Sequence, residues 1–248
     1  MDTNRRPAVV AGVLLIVATV VDVISRAAVL TPILTAPDPL AAVSANGSRV
    51  ALGALLLLLG AISAGAIAIA MYPVLRRYGA VSALGSVGFR LIEATLYLGI
   101  VVCLLVLVAV GREAASPGDL AAFEAPAALV LAARDALGEV AVLSFGLGAG
   151  MYYWVFYRSR LVPRWLSAWG LLAVAAVMVS SVLVIAGVIA PMSQAQVVLA
   201  LPIGLQEMVL AAWLIARGFC TANEATSEAR SAAAVAVGSV AGAPAASR

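Results

Sequence analysis

Six apolar stretches, each long enough to cross a lipid bilayer as a helix, follow one another along this chain. A membrane-spanning helix needs about 20 mostly apolar residues. Short segments rich in proline, glycine or arginine separate the stretches. The six stretches cover residues 8–30, 49–72, 82–110, 126–156, 165–188 and 197–217. Because apolar helices satisfy their own backbone groups in lipid, the pattern predicts an all-α fold: a polytopic transmembrane bundle of six helices.

The composition excludes a water-soluble fold and several kinds of chemistry. Hydrophobic residues make up 64% of the chain and charged residues only 11%, whereas charged residues are about a quarter of a soluble domain. The sequence contains no histidine and no lysine, so histidine metal sites, Ser-His nucleophiles and lysine Schiff bases are excluded. Cys103 and Cys220 lie far apart without metal-ligand spacing. We therefore expect no metal and no cofactor.

Arginine placement predicts how the helices are oriented. Arginines concentrate in the segments 1–7, 73–81 and 157–164, while segments 111–125 and 189–196 hold one arginine and none. Positive residues favour the cytoplasmic side of a membrane. We therefore expect both termini in the cytoplasm and a location in a bacterial plasma (inner) membrane. The same placement explains the net charge of +3 without a nucleic-acid partner.

The segments between and after the helices give further expectations. Prolines predict a non-helical connection over residues 31–48 and an end of the second helix before Pro73. Ser116, Pro117 and Asp119 are typical of a helix start and predict a short surface helix. Residues 220–248 show no hydrophobic period, which predicts a disordered cytoplasmic tail beyond the transmembrane domain 1–219. The rings near the predicted inner helix ends indicate an interfacial belt: Tyr72, Tyr78, Tyr152, Tyr153, Trp154, Tyr157, Trp165, Trp169 and Trp213.

Charged residues inside the apolar stretches are the candidates for function. Each costs about 2.5–3.5 kcal/mol on insertion scales, so each needs a partner or a role. In the third stretch, polar residues recur at spacings of three and four, which places them on one helix face. This face consists of Ser82, Ser86, Arg90, Glu93 and Tyr97. Since lipid cannot pair with it, we expect it to face the interior of the bundle.

Three other stretches contribute charges at similar depth. They are Asp22 and Arg26 in the first stretch, Arg134, Asp135 and Glu139 in the fourth, and Glu207 in the sixth. We expect the charges of helices three, four and six to meet in one interior cavity, with Asp22 and Arg26 at its outer edge. Gly146 and Gly150 permit a close approach of a neighbouring helix. With three arginines against five carboxylates, the count favours one or two protonated acids or a bound cation.

Five segments resemble a family catalogued as domain of unknown function 4386, a bacterial membrane family. They read MYPVLRRYG at 71–79, GFRLIEATLYLG at 88–99, AARDALGE at 132–139, YRSRLVPRWLSAWG at 157–170 and QEMVLAAWLIARGF at 206–219. The resemblance implies a fold but no activity or substrate. It carries over the polar positions Arg90, Glu93, Arg134, Asp135 and Glu207.

Three functions fit this pattern. The first is an intramembrane acid–base enzyme acting on a lipophilic substrate such as a lipid or an isoprenoid-like molecule. Its acid–base candidates are Glu93, Glu207, Asp135 and Glu139, and its substrate-binding candidates are Arg90, Arg134, Tyr97, Asp22 and Arg26. The second is a proton-coupled transporter or exporter of a small molecule. The third is a structural or regulatory membrane protein in which the charges only hold helices together.

Overall fold

The computed structural model describes residues 4–114, 120–191 and 193–220. The first membrane-length helix has three parts: α1 (Arg5–Val23), a π-helix (Ile24–Leu30) and α2 (Thr31–Leu34). A short helix, α3 (Pro39–Ala45), follows. The remaining helices are α4 (Gly47–Leu75), α5 (Ala80–Glu113), α6 (Leu120–Ser159), α7 (Arg164–Ile185) and α8 (Gln194–Ala216).

Five of these helices are long and apolar enough to cross a membrane. They are the composite helix Arg5–Leu34 and the helices α4, α5, α7 and α8. At 1.5 Å per residue, even the 22 residues of α7 extend about 33 Å, which exceeds the hydrocarbon thickness of a bilayer. The described part of the chain is therefore an all-helical membrane protein.

Two predicted breaks in the helices are wrong. The helix α4 continues through Pro73 and ends at Leu75, since a proline in the last turn removes only one backbone bond. The segment 31–48, predicted to be non-helical, contains α2 and α3. Asp38 caps α3 by accepting a hydrogen bond from the Ala41 amide at 3.0 Å, and Pro39 occupies its first turn. This pattern of cap and proline is an ordinary helix start.

Two other predictions fall on residues outside the described ranges. The helix start predicted at Ser116 to Asp119 lies in the gap before α6, which begins at Leu120. The predicted tail 220–248 lies outside the described residues from position 221 onward.

The long helices form a closed ring in chain order. Each of them packs against the helices before and after it, and α8 packs against α1 to close the ring. Contacts across the ring are few, with α4 and α6 touching only weakly. An arrangement of this kind leaves space along the central axis for side chains of all the helices.

Two apolar clusters close the ring at its two ends. The cluster nearer the chain's N-terminus contains Tyr152, Tyr153 and Phe156, which are each 1% exposed or less. The opposite cluster contains Leu57 and Leu104. The two tyrosines therefore belong to the core and not to an interfacial belt, so that prediction is wrong for them. Trp154 and Trp165, which are about half exposed, remain on the outer surface.

Candidate functional site

A cavity of about 630 Å³ lies inside the ring, between the two apolar clusters. Every long helix contributes to its wall, including α1, which was not expected to line it. Most of the wall is apolar. The polar side chains in the wall are Thr19, Asp22, Arg26, Arg90, Glu93, Tyr97 and Glu207.

An ion pair on α5 is the most buried charged group among the described residues of this wall. Nη1 of Arg90 lies 2.8 Å from Oε2 of Glu93, and the two side chains are only 4% and 7% exposed. The guanidinium group also donates from Nε to the carbonyl oxygen of Ala64 on α4 at 3.4 Å. Its carbon atom lies 5.1 Å from the centre of the Phe145 ring on α6, which is a cation–π distance. Arg90 is thus fixed by three helices, and the predicted interior orientation of the α5 polar face is confirmed.

A close helix contact holds Arg90 in this place. At Gly148 of α6, an added Cβ would lie 3.1 Å from Cγ of Arg90 and 3.2 Å from Cβ of Phe89. A side chain at this position would have to displace Arg90 or Phe89 by a few tenths of an ångström. Gly146 and Gly150, which were expected to permit the close approach of a neighbouring helix, face α7. They lie next to Met178 and Val174.

A second ion pair lines the cavity at the junction of α1 and the π-helix. Nε of Arg26 donates to Oδ1 and Oδ2 of Asp22 at 2.8 and 3.0 Å. Nη2 of Arg26 donates to the hydroxyl oxygen of Tyr97 at 3.2 Å. Both charged side chains are about one third exposed. Both line the cavity directly. Because α8 packs against α1 and closes the ring, α1 forms part of the cavity wall.

Glu207 supplies the third carboxylate of the cavity from α8. The Thr19 side chain of α1 lies near it in the same wall. In the described part of the chain, no arginine nitrogen lies within the 4.0 Å ion-pair distance of its carboxylate. The cavity thus holds three carboxylates and two guanidinium groups. If all were ionised, the wall would carry one negative charge in excess.

The cavity does not include Arg134 and Asp135. These two line a smaller pocket of about 210 Å³ toward the opposite end of the ring, together with Arg26, Thr31 and Thr35. Nη2 of Arg134 lies 3.4 Å from Oδ1 of Asp135, whose side chain is 46% exposed. Asp135 precedes the cavity residue Val142 by two helical turns, about 10 Å at 1.5 Å per residue. The prediction of a single cavity is therefore wrong for this pair.

Glu139 is also separate from the cavity. Its Oε1 accepts from Nε2 of Gln196 on α8 at 2.9 Å, and Ser181 of α7 donates to its carboxylate and to its backbone oxygen. This carboxylate therefore connects α6 with α7 and α8. The single-cavity prediction is wrong here too, because position 139 faces α7 while positions 142 and 145 face the cavity.

The comparisons with known proteins identify the family of the chain. Residues 10–218 match the family described as Domain of unknown function (DUF4386). The chain belongs to this family. The match extends from α1 past the end of α8, so every wall of the cavity lies within the DUF4386 region. The comparisons with curated proteins and with solved structures give no match.

Some residues in or next to the DUF4386 cavity were not among the sequence candidates. Thr19 lines the cavity near Glu207, whereas Gly148 lies outside the lining and permits the approach of α6 to Arg90. Thr19 precedes Asp22 by three residues and so shares its helix face, a signal that could have identified it. No such signal exists for Gly148, since its importance depends on which helix packs against α6.

The arrangement can bind a molecule that is mostly apolar and carries a polar end. The apolar wall suits a hydrocarbon body, and Glu207 can accept a hydrogen bond or pair with a cation. The Arg90–Glu93 pair leaves neither partner uncompensated, so the net excess charge of the DUF4386 cavity is associated with Glu207.

Proposed function

We propose that the chain binds a lipophilic molecule with a basic or hydrogen-bond-donating end inside its intramembrane cavity, and that Glu207 contacts that end. One observation carries this proposal: a mostly apolar cavity holds three carboxylates against two arginines, and Glu207 makes no ion pair in the described part of the chain. An uncompensated carboxylate in such a place is unstable as an anion unless a proton or a cation accompanies it. A protonated amine on a ligand meets that need.

The size of the cavity supports binding over a purely structural role for the charges. Its volume of about 630 Å³ lies within the range of small-molecule sites, roughly 300–1,000 Å³. A set of residues that served only to join helices would be expected to pack without such a space. The Glu139 cluster meets that description, since its carboxylate is occupied by Ser181 and Gln196.

Acid–base catalysis on the bound molecule is the enzymatic form of this proposal. Glu207 would exchange a proton with the ligand, because a carboxylic acid in an apolar site can act as a general acid or base. Glu93 and Arg90 would hold the polar end of the bound molecule. Tyr97 and the Asp22–Arg26 pair would form the boundary of the site. Asp135, Glu139 and Arg134 lie outside the cavity and have no part in this chemistry.

The binding test compares two carboxylates of the same bundle. Detergent-solubilised protein is titrated with dodecylamine, 1-dodecanol or dodecanoic acid, and the melting temperature is measured. We expect dodecylamine to raise the melting temperature most, since ligand bound to the folded state stabilises it. Glu207→Gln should remove this preference, while Glu139→Gln should retain it. Equal responses to the three compounds, or an equal loss in both variants, would refute the proposal.

Proton-coupled transport is a second candidate, favoured by interruptions in two walls of the cavity. The π-helix follows α1, and Pro202 lies inside α8. Transporters commonly place interrupted helices at a binding site near the middle of the membrane. Uptake of radiolabelled dodecylamine into proteoliposomes that depends on a pH gradient and on Glu207 would support transport. Binding without such uptake would exclude transport and leave ligand binding or catalysis as the function.

The proposed topology is six spanning helices with both termini in the cytoplasm of a bacterial plasma membrane. The sixth span is α6, whose 40 residues extend about 60 Å at 1.5 Å per residue. The arginines of the segments 73–81 and 157–164 then share one side of the membrane, as the positive-inside rule requires.

A further inference from the structure

The walls of the cavity differ in how much of them reaches the outer surface of the ring. Cavity-lining residues of α4 to α7 such as Ile67, Ala141 and Val177 are less than 9% exposed. The described lining residues that are exposed all belong to α1, the π-helix or α8. They are Val23, Ala27, Val197, Leu201 and Leu205. The cavity therefore reaches the surface at the seam between the first and last long helices.

This seam is closed at one end and open at the other. Near the N-terminus, an added Cβ at Gly12 of α1 would lie 2.9 Å from the carbonyl oxygen of Ala211 on α8, so the two backbones are in close contact. Farther along, Val23 is 56% exposed and Leu201 is 57% exposed, although both line the cavity. The two helices thus diverge from the Gly12 contact toward the π-helix.

The open part of the seam has the chemistry of a passage for a membrane-dissolved amphiphile. Its exposed rim is apolar, with Val23 on one side and Val197, Leu201 and Leu205 on the other. Behind this rim lie Asp22, adjacent in sequence to Val23, and Glu207, two residues after Leu205. A hydrocarbon tail can cross the apolar rim while a cationic end reaches Glu207, the carboxylate without an ion pair in the described part of the chain.

Both sides of the seam also contain a weak point in helix geometry. A π-helix interrupts the regular α-helical bonding, is rare, and is often found at functional sites. On the other side, Pro202 has no N–H group to donate to the carbonyl of Val198 and so weakens the turn of α8 that precedes it. Small movements of either helix end can therefore widen the seam without separating the Gly12 contact.

We infer that the ligand enters the cavity sideways from the lipid, through the seam between the π-helix end of α1 and the N-terminal half of α8. This inference rests on the proposed function, since it concerns the same cavity, and it specifies the ligand class as a membrane-dissolved amphiphile with a cationic end. The smaller pocket at Arg134 is then not the entrance.

The test measures how fast a probe enters. In a background with Phe145→Trp, the four native tryptophans Trp154, Trp165, Trp169 and Trp213 are replaced by phenylalanine, so the single fluorescent residue lies in the cavity wall. The quenching probe is 11-bromoundecylamine in liposomes. Val23→Phe with Leu201→Phe narrows the seam. Leu172→Phe with Val179→Phe adds the same bulk to α7, where both residues are exposed and line no part of the cavity.

We expect the seam variant to slow association and dissociation of the probe by tenfold or more, and the α7 variant to match the background protein. Equal association rates in the two variants would overturn the inference. A seam variant that differed from the background protein only by faster dissociation would overturn it as well. If the seam variant does not fold, the same question is put to the background protein. At equal aqueous concentration, 12-bromododecylamine, which partitions more strongly into the lipid, should associate faster than 11-bromoundecylamine. Equal association rates for the two probes would overturn the inference.

The failures of the two proposals are distinguishable. Loss of the Glu207-dependent preference for dodecylamine would refute the proposed function. Intact preference with unchanged entry rates would refute only the lateral route.

Discussion

Arg90 and Glu93 form an ion pair of 2.8 Å within one turn of α5, and the wall of the cavity shields both from solvent. When either side chain is removed, the other remains as a buried charge without compensation. Arg134 and Asp135 also form a pair, but at 3.4 Å and with one side chain 46% exposed. The two pairs should therefore differ greatly in their effect on stability.

We predict that Arg90→Met lowers the free energy of unfolding by about 3–5 kcal/mol, the usual cost of breaking a buried pair. Arg134→Met should cost about 1 kcal/mol or less, as for an exposed pair. Combining Arg90→Met with Glu93→Leu should recover much of the loss, because no buried charge then remains. Melting temperatures in one detergent measure all three. Equal destabilisation by the two arginine variants would contradict the assignment of Arg90 as the buried partner.

A second prediction concerns the contact of α6 with α5. Gly148→Ala places a methyl group 3.1 Å from Cγ of Arg90, so the variant should be destabilised by about 1–3 kcal/mol, as in other overpacked contacts. Gly138 lies on the same helix with nothing within 4 Å of an added Cβ. Gly138→Ala should stabilise the protein by roughly 0.5–1 kcal/mol, since alanine is the better helix former. Changes of the same sign in both variants would argue against the close approach at Gly148.

The interior face of α5 could be predicted from sequence because a helix repeats every 3.6 residues. The spacing of Ser86, Arg90 and Glu93 placed them together, and all three are 5% exposed or less. The partners on other helices could not be predicted in this way. Periodicity gives the face of α6 that carries Glu139 but not the neighbour it meets, and that neighbour is α7.

Ring closure is the other feature beyond the reach of local pattern. Asp22 and Glu207 face one cavity because α8 packs against α1, the helix most distant from it in sequence. The interfacial-belt prediction for Tyr152 and Tyr153 was wrong for a related reason. Their position near a helix end is typical of an interfacial belt, yet Tyr153 donates its hydroxyl hydrogen to Gln206 on α8 inside the core. Long-range packing determined both outcomes.

The third prediction tests the proposed topology. Reporter fusions after Arg77, Asp119 and Arg160 should read inside, outside and inside, because arginine-rich connections favour the cytoplasm. The fusion after Asp119 is the critical one, since it reports whether α5 and α6 each cross the membrane. An inside reading there would mean that α5 does not cross the membrane. With Arg160 also inside, α6 would not cross either, and the six-span topology would be refuted.

The last prediction tests whether the cavity is the binding site by filling it. Gly204 lines the cavity, and an added Cβ there meets nothing within 4 Å. Gly88 on α5 has the same open space but is exposed on the outer surface of the ring. Both can therefore accept a larger side chain without a clash, and both lie within helices.

We expect Gly204→Leu to reduce the dodecylamine-induced rise in melting temperature by at least half, because the new side chain occupies ligand space. Gly88→Leu should leave the rise unchanged, and neither variant should melt below the parent protein without ligand. Titration of the three proteins at equal detergent concentration measures the effect. If Gly88→Leu reduced binding as much as Gly204→Leu, the probe would be interacting with the outer surface of the helices, and the cavity would lose its assignment as the site.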